Sequence, residues 1–174
     1  MILTGNKIDE EVNNKKIIIE PYDKDCLNPN SYNFHLGDTF FIYKNKVLDP
    51  KVEQPTRKLH LGEKGMILQP GELYLGHTQE VMGSDFFAPF IFGRSSVGRL
   101  GIFVQINAPL GDIGFKGKWT LQITPVRPVR VYPGMKIGQI FFLKPEGEIT
   151  LYNGKYQNSK IPRKSEIYKD FNNK

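Results

Sequence analysis

Two arginines and two serines lie within six residues of one another in segment 93–101, GRSSVGRLG. If Ser95 and Ser96 begin a short helix, their backbone N–H groups and the helix dipole would face an anion. The two hydroxyls and Arg94 would add hydrogen bonds to that anion. The segment therefore predicts a phosphate-binding site, although an ordinary N-capped turn with two surface arginines would have the same sequence.

A second segment that could take part in a reaction is 107–117, NAPLGDIGFKG, in which glycines flank one acid, Asp112. The pattern predicts a hairpin that carries Asp112 between two apolar strands. A carboxylate in that position can orient or deprotonate a water molecule. A turn aspartate more often only forms an Asx-turn, so the nearby phosphate-binding pattern is what favours a catalytic role for Asp112.

Short segments rich in β-branched and aromatic residues must position these two loops. They are KKIIIEPY, SYNFHLGDTFFIY, MILQPGELYLGHTQEV, FFAPFIFG, LGIFVQI, GKWTLQITPV, VRVY and KIGQIFFL. Pro70-Gly71 and Pro133-Gly134 predict turns between such segments. Apolar residues at near-helical spacing predict a short helix within residues 1–14. The whole pattern predicts an all-β sandwich, roll or barrel.

Length and composition predict one folded domain over residues 1–174. The chain is 39% hydrophobic and 24% charged, which is ordinary for a globular protein large enough to bury a core without disulfides. No stretch approaches the roughly 18 apolar residues that cross a bilayer, and the N-terminus turns polar too soon for a signal peptide. The single cysteine, Cys26, suits a reducing compartment. We therefore expect a cytoplasmic protein with no membrane partner.

The net charge of +6 has two interpretations. It could belong to a nucleic-acid-binding surface, or to a site for a ligand with several negative charges. Much of the excess lies in the last twenty residues, which favours a solvated basic tail or a phosphate clamp, so we expect no nucleic-acid partner. The final residues, IYKDFNNK, are typical of an exposed or disordered end.

Several motifs together resemble those of the dCTP deaminase and dUTPase superfamily. GRSSVGRLG, NAPLGDIGFKG, YPGMKIGQIFF and YNGKYQ occur in the order and spacing of that superfamily, and SYNFHLG resembles its first motif. The resemblance covers residues 17–160 approximately. It implies a distorted β-barrel with short helices that assembles as a homotrimer, with nucleotide sites between subunits. It also implies Mg²⁺ as cofactor, held by the triphosphate and water and not by protein side chains.

The resemblance assigns roles to individual residues. Asp112 and Arg99 take the catalytic roles. Substrate binding falls to Arg94, Ser95, Ser96, Asn107, Ala108, Thr120, Leu121, Gln122, Tyr152, Lys155 and Tyr156. Residues 150–174 would form a C-terminal closing arm and tail that folds over the triphosphate, and such closure is a common way to exclude water from a reacting site.

One departure from the deaminase pattern bears on the reaction. Family deaminases carry a glutamate in a pattern like L-E-L, where this chain has Leu121-Gln122-Ile123. An amide can hydrogen-bond a base but cannot accept and return a proton at neutral pH. The residues therefore favour a dUTP diphosphatase, in which Asp112 activates water for attack on dUTP and dUMP and pyrophosphate are released. The alternatives are a dCTP deaminase that forms dUTP or dUMP, and a non-catalytic nucleotide-binding regulator.

Other observations limit the choice of ligand. A zinc-dependent nucleotide deaminase would need an H-x-E segment and a P-C-x-x-C pair, which one cysteine cannot supply. The three histidines have no metal-ligand spacing. Further departures from the superfamily pattern leave the choice of pyrimidine open; they are Asn33, His35, Gly111 and Pro125.

Overall fold

Strands dominate the computed structural model, which describes residues 1–105 and 107–172. The strands are β1 (Ile17–Glu20), β2 (Tyr32–His35), β3 (Thr39–Tyr43), β4 (Thr56–His60), β5 (Met66–Leu68), β6 (Tyr74–Ser84), β7 (Ala88–Gly93), β8 (Ile102–Val104), β9 (Lys116–Pro125), β10 (Val129–Val131) and β11 (Lys136–Leu143). The helices are α1 (Gly5–Asn13), α2 (Ser95–Gly98) and α3 (Lys169–Asn172), and a 3₁₀ turn covers Lys24–Cys26. The all-β class with a few short helices is thus confirmed.

Within the described residues the strands form three antiparallel sheets. The largest has the order β4-β3-β6-β9-β8, with β1 paired to β6 as well, and the others are β2-β11-β7 and β10-β5. Strand β6 is long enough to pair with β3 near one end and β1 near the other, while β9 pairs along its opposite edge. One cluster of buried residues joins all three sheets into a distorted barrel. Its largest fully buried side chains include Tyr32, Phe34, Phe40 and Phe142.

The predicted turns are confirmed by the backbone. Gly71 and Gly134 have φ angles of 80° and 74°, which a residue without a Cβ adopts without strain. Each follows a proline and lies between two strands that are consecutive along the chain, β5 and β6 or β10 and β11. These turns are therefore set by local sequence alone.

One strand is absent from the segments that the sequence predicts. Strand β4 has the sequence TRKLH and lies at the edge of its sheet, mostly exposed, so it carries no hydrophobic alternation by which to recognise it. At the C-terminus, residues 167–172 form a turn and helix α3, and Ile167, Asp170 and Phe171 are exposed, in agreement with the exposed end expected from the sequence. The last two residues of the expected tail, 173 and 174, lie outside the described residues. None of the helices in the described part of the chain is long and apolar enough to span a membrane.

A bulge in β6 lies opposite Trp119 of β9. The register between the two strands shifts between His77 and Val81. The hydroxyl of Thr78 accepts a hydrogen bond from the backbone N–H of Trp119 at 2.9 Å and donates one to the carbonyl of Glu80 at 2.7 Å. The side chain thereby replaces ladder bonds that the bulge removes.

The imidazole of His77, beside this bulge, is buried with 3% of the residue exposed. Its Nδ1 lies 2.8 Å from the Thr78 carbonyl, which can only accept, so Nδ1 carries the proton of the neutral ring. Burial lowers the pKa of His77; Lys118 also lowers it, while the Thr78 hydrogen bond and Asp38 act in the opposite direction. The ring is therefore neutral in the folded protein at neutral pH.

We expect the free energy of unfolding to fall as the pH drops through about 6.5, the pKa of His77 in the unfolded chain. The unfolded chain then binds a proton that the folded protein resists. His77→Asn keeps a donor for the Thr78 carbonyl and does not titrate, so it should lose less stability between pH 7.5 and 5.5 in urea unfolding. His60→Asn, at an exposed histidine, is the matched control. An identical pH dependence in wild type and His77→Asn would contradict this assignment.

Candidate active site

Strand β9 separates the core from a cavity by the alternation of its side chains. Trp119, Leu121 and Ile123 are buried, whereas the side chains between them are partly exposed. Because successive side chains of a strand point to opposite faces, Thr120 and Gln122 share the face away from the core. Both line the cavity. Leu121 instead belongs to the fully buried core.

The cavity has a volume of about 550 Å³, within the range of small-molecule and nucleotide sites. Four parts of the chain line it. Strand β9 supplies Lys118, Trp119, Thr120 and Gln122; residues 105–115 supply Gln105, Ala108, Leu110, Gly111, Asp112 and Phe115; the C-terminal arm supplies Tyr152, Tyr156, Ser159, Arg163, Lys164 and Ser165; and the β3 and β6 regions supply Tyr43, Leu48, Leu73 and Leu75. Aromatic and aliphatic surface therefore surrounds a limited number of polar groups.

The C-terminal arm, residues 150–172, docks along β9 by backbone hydrogen bonds. The N–H of Asn158 donates to the carbonyl of Lys116 at 3.0 Å, and the N–H of Lys118 donates to the carbonyl of Ser159 at 2.7 Å. Since β8 pairs with β9 only at its far end, this part of the β9 edge is open to the arm. The arm becomes the outer wall of the cavity.

Gln157 of the YNGKYQ motif fixes the arm to the segment that leads into β9. Its Nε2 donates to the carbonyls of Gly114 at 2.7 Å and Tyr152 at 3.2 Å. Its Oε1 accepts from the backbone N–H of Lys116 at 2.8 Å. One side chain thus satisfies three backbone groups, which explains why a motif far along the chain belongs to this site.

Residues 107–115 form a wide loop and not a tight hairpin, because β8 pairs only with the C-terminal end of β9. Asp112 is exposed and lines the cavity, and its carbonyl accepts a hydrogen bond from the N–H of Phe115. Asp112 is the one carboxylate among the lining residues that the structure describes. It is the cavity group that can take a proton from water.

Gln105 is a cavity residue that the sequence patterns did not single out. It is 6% exposed and has a positive φ of 53°. Its Oε1 accepts from the backbone N–H of Gln122 at 3.2 Å, and its Nε2 donates to the carbonyl of Ala108 at 2.8 Å. Gln105 therefore holds Ala108 beside Gln122. The available signal was a polar residue directly after the apolar run IFV.

No residue of the GRSSVGRLG segment lines the cavity. Ser95 begins the short helix α2 and Arg94 precedes it in an extended conformation, as the sequence predicts. Ser95, Ser96 and Arg99 are exposed, and the guanidinium of Arg94 reaches the carbonyl of Lys136 at 3.5 Å. A single chain consequently does not bring this loop to Asp112 and Gln122.

Two more predicted residues lie off the cavity. Asn107 is exposed and is not part of the lining. The ammonium of Lys155 donates to the carbonyl of Glu166 at 3.2 Å and pairs with Asp170 at 3.0 Å, and the Asp170 hydrogen bond raises the pKa of Lys155. Lys155 thus ties the beginning of the arm to helix α3 at its end. The structure brings together Ala108, Asp112, Thr120, Gln122, Tyr152 and Tyr156 from the predicted set.

The chain matches a family model described as dCTP deaminase-like over residues 2–144. It belongs to the dCTP deaminase-like family. Relatives named "dCTP deaminase, dUMP-forming" match nearly the full length. The one from Clostridium beijerinckii is 46% identical over 172 residues, 98% of this chain and 99% of that protein. The one from Leptospira biflexa serovar Patoc (strain Patoc 1 / Ames) is 49% identical over 175 residues, covering both chains completely.

A solved structure also has a similar fold. The crystal structure of 2'-deoxycytidine 5'-triphosphate deaminase from Agrobacterium tumefaciens aligns with a TM-score of 0.64 and 23% sequence identity. The alignment covers 81% of this chain and 47% of that longer chain. At this identity the likeness concerns the fold alone.

The comparisons contradict the dUTP diphosphatase expected from the sequence. Relatives that share 46–49% of their residues over almost the whole chain are named as dUMP-forming dCTP deaminases. The dUTP diphosphatase was inferred chiefly from the amide of Gln122, whereas the relatives resemble this chain over its whole length. The alternative, a dCTP deaminase that forms dUMP, agrees better with these relatives.

Proposed function

We propose that this protein is a dCTP deaminase that forms dUMP. The supporting observation is its likeness to relatives of that name over 98–100% of the chain. The same chain builds a cavity of about 550 Å³ in which Asp112 and Gln122 meet aromatic side chains. That volume accommodates a nucleoside triphosphate.

The overall reaction consumes two water molecules. One replaces the amine at C4 of cytosine and releases ammonia, and the other attacks the α-phosphorus and releases diphosphate. Each attack needs a base that takes a proton from water. We assign that role to Asp112, the carboxylate of the described cavity lining.

Gln122 orients the pyrimidine in this proposal. Its side chain offers an acceptor oxygen and a donor NH₂ on the cavity face of β9, and both can pair with the edge of cytosine or uracil. The amide does not carry a proton between water and the leaving amine at neutral pH. We therefore expect deamination to be slower than the release of diphosphate.

The residues fit a Mg²⁺ ion that arrives with the nucleotide. Oxygen ligands suit this ion, which usually keeps several waters and is bound by one or two carboxylates together with substrate phosphates. Asp112 is the cavity carboxylate that could approach it, and no cluster of three or more metal-ligating side chains occurs among residues 1–105 and 107–172. When bound, Mg²⁺ would neutralise charge on the phosphates.

A second copy of the chain completes the site in this proposal. Ser95, Ser96 and Arg99 are exposed and are not among the cavity-lining residues of their own chain, yet their types suit a phosphate. A homotrimer with a heterologous interface would place the GRSSVGRLG loop of one copy beside the cavity of the next.

The first test is product analysis with wild-type protein, Mg²⁺ and dCTP. We expect dUMP, ammonia and diphosphate in equal amounts, separated by anion exchange and assayed enzymatically. The same incubation with dUTP is the control, and it should release dUMP without ammonia. Recovery of dCTP unchanged under conditions where dUTP is consumed would refute the proposed function.

Gln122→Glu should accelerate ammonia release. A carboxylate can shuttle the proton that the amide cannot, and general acid–base catalysis contributes about 10²–10⁴-fold. The rate of diphosphate release from dUTP should change much less. Gln79→Glu, which adds the same charge at an exposed position outside the cavity, is the control. Equal ammonia release from wild type and Gln122→Glu would remove Gln122 from the cytosine end of the site.

Mixed assemblies test whether two copies build each site. Asp112→Asn and Arg94→Ala should each lose most activity, because one lacks the base and the other a phosphate ligand. If the two variants are unfolded and refolded together, about a quarter of the sites should combine an intact loop with an intact Asp112. The activity of the mixture should rise in proportion to the number of these sites. A mixture that stays as inactive as its components would place both residues in a site within one copy.

A further inference from the structure

The buried ring of His77 lies directly against Gly37, and Asp38 follows that glycine in the chain. A Cβ on residue 37 would overlap the imidazole, so the ring can occupy this place only because residue 37 has no side chain. Nε2 of His77 and Oδ1 of Asp38 are 3.6 Å apart. A buried imidazole of β6 therefore meets an exposed carboxylate in the segment between β2 and β3.

Both atoms of this pair are hydrogen-bond acceptors. Because Nδ1 of the neutral ring donates to the Thr78 carbonyl, Nε2 of His77 has a lone pair and no proton. Nε2 is buried and has no hydrogen-bond partner among the described residues. An ionised Asp38 carboxylate also only accepts, and its Oδ1 already accepts from the Thr39 hydroxyl at 3.1 Å. Two lone pairs that face each other are stabilised by a cation or a donor between them.

The gap between the two atoms fits a metal ion of the zinc type. Zn–N bonds of about 2.0–2.1 Å and Zn–O bonds of about 2.0–2.2 Å, at a tetrahedral angle, separate the ligand atoms by roughly 3.4 Å. The observed separation is 3.6 Å. Metal-binding histidines usually donate their other N–H to a carbonyl or a carboxylate, as His77 does to Thr78. The Thr39 hydroxyl orients the carboxylate in the same manner.

A third ligand lies close by on the exposed side. Nδ1 of His60, the last residue of β4, is 4.0 Å from Oδ2 of Asp38, and the His60 side chain is 69% exposed. No group of three metal-ligating side chains in residues 1–105 and 107–172 is already arranged around one point. His60 therefore has to rotate in order to join the pair. The three residues come from separate parts of the chain, so no spacing in the sequence predicts them as ligands.

We propose that His77 and Asp38 bind a divalent transition-metal ion of the zinc type, with His60 as the third protein ligand and water as the fourth. Imidazole suits zinc, whereas carboxylates and water suit Mg²⁺. This site is therefore distinct from a Mg²⁺ that arrives with the nucleotide, and it does not depend on the proposed function. Lys118 of β9 lies near enough to oppose positive charge at His77, which keeps the affinity for the ion moderate.

The experiment is isothermal titration of the full chain with Zn²⁺ alone, after treatment with a chelator. We expect a single ion per chain, and excess Mg²⁺ should not compete. Asp38→Asn and His77→Asn should each weaken binding at least about tenfold, because each removes a ligand. Asp25→Asn removes an exposed carboxylate elsewhere and should leave the affinity unchanged. Lys118→Gln should tighten binding, because it removes the repulsion of a nearby positive charge.

Nitrogen NMR spectra identify the ligands, because the chain has only three histidines. Zn²⁺ should shift Nε2 of His77 and Nδ1 of His60 but neither nitrogen of His35. Nε2 of His35 lies 3.9 Å from Sγ of Cys26, and these two atoms are the alternative zinc ligands. Zinc that shifts His35 and not His77 would overturn the proposal, as would wild-type affinity in Asp38→Asn. Because Asp38 is exposed, that variant decides the question even if His77→Asn does not fold.

Discussion

The hydrogen-bonding capacity of strand β9 is the constraint on which the site depends. One edge of the strand pairs with β6, and the other is divided between β8 and the C-terminal arm. One face contributes Leu121 and Ile123 to the core, and the other contributes Lys118, Thr120 and Gln122 to the cavity. Because the side-chain period is two, a shift of one residue in this register would exchange the two sets. Core stability and site geometry therefore depend on the same pairing.

The sequence predicts those parts of the fold that are decided locally. Pro133-Gly134 and the start of α2 at Ser95 require only their own neighbours, and the all-β class follows from strand-forming segments. The cavity contains residues that meet over long separations, such as Arg163 with Thr120, and no local pattern indicates that contact. The buried position of Leu121 could have been predicted from the alternation of side chains along a strand. If Gln122 faces the ligand, alternation places Leu121 in the core.

The expectation of a dUTP diphosphatase was wrong because it relied on one residue of the cavity. Gln122 removes one proton-transfer group, and that chemical argument concerns a single step. It does not specify what the rest of the cavity recognises, which depends on residues from β9, the 105–115 loop and the arm together. Similarity to relatives over the full length of the chain depends on all of these residues together. In the proposed function, the amide of Gln122 would bind cytosine without carrying a proton in its deamination.

The docked arm also has a role that is independent of any ligand. Strand edges with unpaired N–H and C=O groups recruit strands from other molecules. Asn158 and Ser159 occupy the backbone groups of Lys116 and Lys118, and this part of β9 would otherwise present such an edge. A protein that opened its arm widely to admit substrate would expose that edge in every catalytic cycle. The docked arm therefore protects this edge of β9 as well as forming a wall of the cavity.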